Sequence, residues 1–186
     1  MTSNKKLKNK RRKSKEQKKK RNKRKLAYQN YLKPFLQTID KVYKPMYKEA
    51  YRWMHMPRIK DDFKPQIFQE SDSRTPEKIR PPQLDAPDGI ILKYVDNFTL
   101  SNYDTSENAE KAYRYWVEKL SKKSTKALEE FIQNKGDYIV KVNYTEDVAI
   151  LNEPDKKGHF QVLMFENVDY ENLVDKAFVP IKIEIE

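Results

Sequence analysis

Residues 137–165 read DYIVKVNYTEDVAILNEPDKKGHFQVLMF, and this stretch decides the fold class. Tyr138, Val140, Val142 and Tyr144 alternate with Lys141 and Asn143, the period of a strand with one face buried. Val148 to Leu151 and Phe160 to Phe165 are apolar runs of strand length, and Pro154-Asp155-Lys156-Lys157-Gly158 between them is a loop of hairpin type. These runs begin an antiparallel or mixed sheet. Toward the C-terminus, Val179, Ile181, Ile183 and Ile185 alternate with Lys182, Glu184 and Glu186, which predicts a finishing strand with one face in water.

Upstream of the sheet the period changes. Ala109, Ala112, Tyr113, Trp116, Val117 and Leu120 trace one face of a helix over about Thr105 to Lys122, opened by Asp104 and Glu107 at capping-box spacing. Ser124 caps a second helix carrying Leu128, Phe131 and Ile132, which ends at Asn134-Lys135-Gly136. Ile90 to Val95 reads as a strand, followed by a turn at Asp96-Asn97 and a second strand over Phe98 to Leu100. Residues 89–186 therefore read as an α+β domain, with a sheet of four to six strands backed by two helices.

Residues 57–88 contain Pro57, Pro65, Pro76, Pro81, Pro82 and Pro87 and no glycine, so little regular structure can persist there. Ile59, Phe63, Ile67, Phe68, Ile79 and Leu84 are anchors that would pin this stretch to a surface as a semi-rigid strap. Residues 26–56 show helical spacing: Tyr28, Tyr31, Leu32, Phe35, Leu36, Ile39, Val42, Tyr43, Met46, Tyr47, Ala50, Trp53 and Met54 form one apolar stripe. Proline at 34 and 45 predicts a helix that is kinked or split. Opposite the stripe run Lys33, Gln37, Lys41, Lys44, Lys48 and Arg52, a basic face.

The formal net charge of +11 is unevenly placed. Residues 1–25 hold 15 Lys or Arg against the single acid Glu16, residues 26–88 hold 11 against 9, and residues 89–186 hold 13 against 18. The basic character thus belongs to an arm, and the α+β portion is mildly acidic. Lys5, Lys6, Lys8, Lys10, Arg11, Arg12, Lys13, Lys15, Lys18, Lys19, Lys20, Arg21, Lys23, Arg24 and Lys25 repel one another with only Leu7 to bury, which predicts an arm disordered when free. Such an arm condenses on a polyanion by releasing counterions. It has no aromatic to stack on a base, so its binding would tolerate any sequence.

Other chemistry lacks material. Three glycines exclude phosphate-cradling loops, and the absence of cysteine excludes disulfides and thiolate metal sites. His55 reads as structural or solvent-facing, and His159 opens a strand beside a turn. The pairs Asp61-Asp62 and Glu146-Asp147 read as solvated loop charge. No catalytic residue, metal ligand or cofactor is assigned, and no apolar run of about 18 residues is available to span a membrane.

The order of basic arm, amphipathic helix, proline-rich strap and small α+β body resembles ribosomal and other ribonucleoprotein subunits in outline. The sequence predicts a non-catalytic, intracellular protein, cytoplasmic or nuclear if eukaryotic, that binds RNA or DNA through the arm together with Lys41, Lys44, Lys48 and Arg52. The α+β domain would dock a protein partner or a second copy. Two alternatives are a nuclease or toxin-like effector with a noncanonical site in residues 89–186, and a structural assembly subunit that uses the Tyr28 to Trp53 stripe as a helix–helix interface.

Overall fold

The computed structural model describes residues 25–69 and 75–185. One antiparallel sheet has strand order β4-β5-β2-β1-β3-β6. Its strands are β1 Lys48–Met54, β2 Leu100–Tyr103, β3 Tyr138–Tyr144, β4 Ala149–Leu151, β5 His159–Met164 and β6 Ile181–Lys182. The α+β class and a six-stranded antiparallel sheet are therefore present, at the upper end of the expected strand number. The longest ladder joins β1 to β3, from Lys48 opposite Tyr144 to Met54 opposite Tyr138. Strand β1 meets β2 at Tyr51 opposite Tyr103, and beyond that pair the Arg52 side chain reaches the Ser101 carbonyl at 3.0 Å.

Four helices cover the sheet: α1 Leu36–Val42, α2 Asp88–Val95, α3 Ser106–Ser121 and α4 Thr125–Lys135. A helical turn Gln29–Leu32 and a 3₁₀ turn Lys33–Phe35 precede α1, so the N-terminal helix is split at Pro34, where the ring fits a first-turn position. The Thr105 hydroxyl caps α3 by accepting from the Asn108 N–H at 3.1 Å, in place of the expected Asp104. Ser124 caps α4 as read, accepting from the Ala127 N–H at 3.1 Å. Gly136, at φ 69°, ends α4 against the backbone of Met54, where a Cβ would lie 2.2 Å from the Met54 carbonyl.

Three segments depart from the sequence reading. The second half of the expected 26–56 helix is strand β1, so Lys48 and Arg52 are not on a helix. Ala50, Arg52 and Met54 are buried on one face of β1, while Tyr51 and Trp53 pack on the other with α3 and α4. A strand covered on both faces lacks the polar alternation that would reveal it. Ile90 to Val95 belongs to helix α2, not a strand; Ile91, Tyr94 and Val95 are buried at helical spacing. In the last segment only Ile181–Lys182 pairs with β3, and Val179 and Ile181 are exposed where buried residues were expected, while Ile183 is buried as read.

The core has three parts. One sheet face carries Ala50, Met54, Leu100, Val140, Val142, Tyr144, Phe160 and Val162, closed by Phe63, Leu173 and Val174. On the other face α3 and α4 bury Trp53, Tyr103, Tyr113 and Ile139. Beside β4 and β5, Leu32, Phe35, Ile39 and Tyr43 pack with α2 against Ile150 and Leu163. Most of the N-terminal apolar stripe is thus used inside this chain: Phe35 meets Tyr94 edge-on at 5.2 Å and Tyr31 stacks on Phe98 at 5.2 Å. It is not left over as a helix–helix interface. Of the strap anchors, Phe63 and Ile67 are buried and Phe68 and Ile79 half-buried, whereas Ile59 and Leu84 are exposed.

Candidate nucleic-acid interface

Residues 1–24, and with them Lys5 through Arg24, lie outside the described residues. Lys25 is exposed, and its carbonyl accepts from the Glu166 N–H at 2.8 Å, which fixes where the arm joins the body. That junction borders a cleft of about 660 Å³ lined also by Asp147, Glu166 and Asp169. The other four cations assigned to nucleic acid do not form one exposed basic face. Lys41 pairs with Asp88 at 2.9 Å, and this hydrogen bond holds the Asp88 carboxyl below the usual carboxylate range. Lys44 follows α1; its ammonium bonds the Asp40 carbonyl and its backbone pairs with Leu151. Lys48 lies over the Phe160 ring at 5.3 Å. Arg52 is buried, with terminal nitrogens on the carbonyls of Ser101 at 3.0 Å and Asp62 at 2.8 Å, so it is not part of an exposed basic face.

The expectation of solvated loop charge fails at Asp62. Its carboxylate is buried, accepts from the backbone N–H of Ile59 at 3.0 Å, and lies 2.6 Å from His55 Nδ1. His55 Nε2 lies 2.8 Å from the Gln133 carbonyl. Both ring nitrogens face acceptors, which favours the imidazolium. Partial burial lowers the His55 pKa, but hydrogen bonds to Asp62 and Gln133, with the charges of Asp62 and Asp137, outweigh it and the net displacement is upward. His55 is therefore a structural strut joining β1, the strap and α4. His159 is half-buried beside Tyr103, and burial holds its pKa below the usual value despite Asp155 and Asp96.

A surface that the sequence reading passed over lies on α3. Tyr115 is 55% exposed and Trp116 38% exposed, although Trp116 was expected on the buried stripe. Ala109 and Tyr113 take the core positions, and Trp116 lies far enough around the helix to face outward. The two rings meet edge-on with centroids 5.8 Å apart. Lys119, one turn on, holds its ammonium 4.6 Å from the Trp116 centroid and 5.9 Å from that of Tyr115. Lys157 reaches to 6.0 Å from Tyr115 out of the β4–β5 loop. That loop is held by the Asp155 carboxylate, which accepts from the N–H groups of Lys157 at 2.8 Å and His159 at 3.0 Å, and by the Asp104 N–H donating to the Gly158 carbonyl at 2.9 Å. On the α3–α4 turn the exposed Lys122 and Lys126 pair with Glu118 and Glu130, and Lys123 adds a further exposed cation.

Single exposed aromatics are ordinary on a protein surface. Two adjacent exposed rings with lysines from separate elements over them form one patch of aromatic and cationic groups. The signal was present in the sequence as Tyr115, Trp116 and Lys119, two adjacent aromatics with a cation one helical turn on. Among the described residues no helix is long and apolar enough to cross a membrane, and no group of three His, Cys, Asp or Glu could hold a metal ion. No protein-family model, curated protein or solved structure matches the chain, so no residue role is carried over from another protein.

Proposed function

We propose that this is a non-catalytic nucleic-acid-associated protein, acting on RNA or within a ribonucleoprotein assembly. The observation that carries the reading is the segregation of charge: 15 Lys or Arg against one acid in residues 1–25, ahead of a body with net negative charge in residues 89–186. The arm neutralises phosphates without regard to sequence. The Tyr115, Trp116 and Lys119 surface supplies what the arm lacks, a place for unpaired bases to stack. The acidic remainder of the α+β domain is the surface for a protein partner that is itself basic.

Fluorescence anisotropy with single-stranded and double-stranded RNA and DNA, across a salt series, tests this. Removing residues 1–24 is expected to flatten the log-log salt dependence by about 0.7 per lost contact on single strands and about 0.9 on duplex DNA. Replacing Tyr115 and Trp116 together by Ala is expected to weaken single-strand binding by about 1–3 kcal/mol per stacked base, without changing the salt slope. Binding that survives loss of the arm unchanged, or cleavage of the oligonucleotide by the purified chain, would overturn the reading.

A further inference from the structure

Arg52 is a buried cation whose nearest carboxylate, that of Asp62, is shared with His55. It is 9% exposed, and its two terminal nitrogens hydrogen-bond to neutral carbonyls, those of Ser101 and Asp62. Its Nε is buried with no hydrogen-bond partner among the described residues. The nearby Asp62 carboxylate is turned to His55 Nδ1 at 2.6 Å and to the N–H groups of Ile59 and His55, so it is already matched to another cation. The next polar neighbour, Tyr144, donates to Asn102 Oδ1 at 3.0 Å and accepts from the Arg52 side chain, but as a neutral phenol it supplies no charge. A buried guanidinium left in this state is costly, and the cost falls when an anion reaches it.

A cavity of about 220 Å³ has Arg52 in its lining, next to the single β1–β2 pair of Tyr51 and Tyr103. Its wall brings two further cations: Lys64 from the strap and Lys135 from the last turn of α4. Lys64 also holds Asp61 at 2.7 Å, and Lys135 donates to Gln66 Oε1 at 3.1 Å, so both ammonium groups are oriented. The Gln66 amide, the Gln69 side chain and Ser101 add neutral polar atoms to the wall. Asp96 also lines it; that carboxyl faces the Tyr43 hydroxyl at 3.4 Å, and burial pushes its pKa up.

We infer that this cavity is a site for a phosphate-class oxyanion, with the Arg52 guanidinium as its fixed floor and Lys64 and Lys135 as its rim. The planar fork of arginine suits such an oxyanion, and its two carbonyl contacts hold the fork in place before the ligand arrives. The anion source is either a free phosphate compound or a terminal phosphate of a nucleic acid. The site is distinct from the Tyr115 and Trp116 surface and does not depend on it.

The test is ¹⁵N NMR of the arginine Nε–H groups in the full chain, titrated with inorganic phosphate at constant ionic strength, with chloride as control. The Arg52 resonance is expected to shift saturably with phosphate and not with chloride. Lys64→Gln and Lys135→Gln are each expected to weaken that response by about tenfold, since a hydrogen bond to a charged group is worth about a decade of affinity. Lys176→Gln, at an exposed position outside the cavity lining, is expected to leave it unchanged. An Arg52 resonance that stays still while the arm arginines shift would overturn the site, as would an unchanged midpoint in both lysine variants. A short oligonucleotide with a 5′-phosphate that displaces inorganic phosphate, where its 5′-hydroxyl counterpart does not, supports a nucleic-acid terminus as the source; displacement by neither supports a free phosphate compound. Oligonucleotide binding with a silent Arg52 would sink this inference alone, and a responsive Arg52 without oligonucleotide binding would sink the proposed function alone.

Discussion

Replacing His55 by Ala removes a side chain that joins the end of β1, the strap and the end of α4. Asp62 would keep only amide donors, the N–H of Ile59 at 3.0 Å and that of His55 at 3.3 Å. Its side chain is 2% exposed, so the carboxylate would be a buried charge that has lost its hydrogen-bonded cation. Breaking a fully buried pair costs about 3–5 kcal/mol. The His55 side chain is 21% exposed, so water enters the gap, and with the remaining amides this brings the expected loss to about 2–3 kcal/mol. For a chain of this size that corresponds to a fall in Tm of about 5–10 °C. The loss must also depend on pH. Because the folded pKa of His55 is raised, its contribution is fully present below the unfolded value of about 6.5 and declines as pH rises through the folded value. Urea unfolding of both proteins at a series of pH values reads this directly. The gap between them should be widest in mild acid and narrow toward alkaline pH. A gap that is flat across the range, or an NMR titration placing His55 below 6.5, would refute the imidazolium assignment.

Gly136→Ala should destabilise by about 3 kcal/mol or more, because the added Cβ meets Met54 backbone atoms at 2.2 Å and φ is 69°; chemical denaturation measures it. Thr105→Ala and Ser124→Ala should each cost about 1 kcal/mol in the same assay, through loss of the caps of α3 and α4. Tyr144→Phe should cost about 1–3 kcal/mol, since it leaves Asn102 Oδ1 buried without the donor now at 3.0 Å, and a stability equal to wild type would show that this oxygen finds another partner.

What was legible along the chain follows from how each element is covered. Strands β3 and β5 and helices α3 and α4 were readable because their periods are clean and their ends are marked by Ser124, Gly136 and the Pro154 to Gly158 loop. Strand β1 was hidden because Ala50 and Met54 are four apart, which fits a helical stripe as well as one face of a strand, and the residue between them on that face is the charged Arg52. Helix α2 was hidden because the run Ile90-Ile91-Leu92 is too short to distinguish the two periods, although Pro87 and Asp88 before it are ordinary helix starters. The Tyr115 and Trp116 surface was misjudged through Trp116, since a hydrophobic stripe shows which residues can be buried, not which are.

Local order alone settled the α+β class, the two central helices with their termini, the hairpin loop and the concentration of charge in the first 25 residues, because each depends on neighbours within a few positions or on composition. Three-dimensional packing settled the rest. Arg52 left the proposed basic face because β1 carries it inward to the carbonyls of Ser101 and Asp62. Asp62 left solvent because His55 and the Ile59 amide satisfy it, and Lys157 came to Tyr115 across the sheet. Each of these depends on residues far apart along the chain or on a loop closing back on itself, and such meetings are fixed by which faces the core covers.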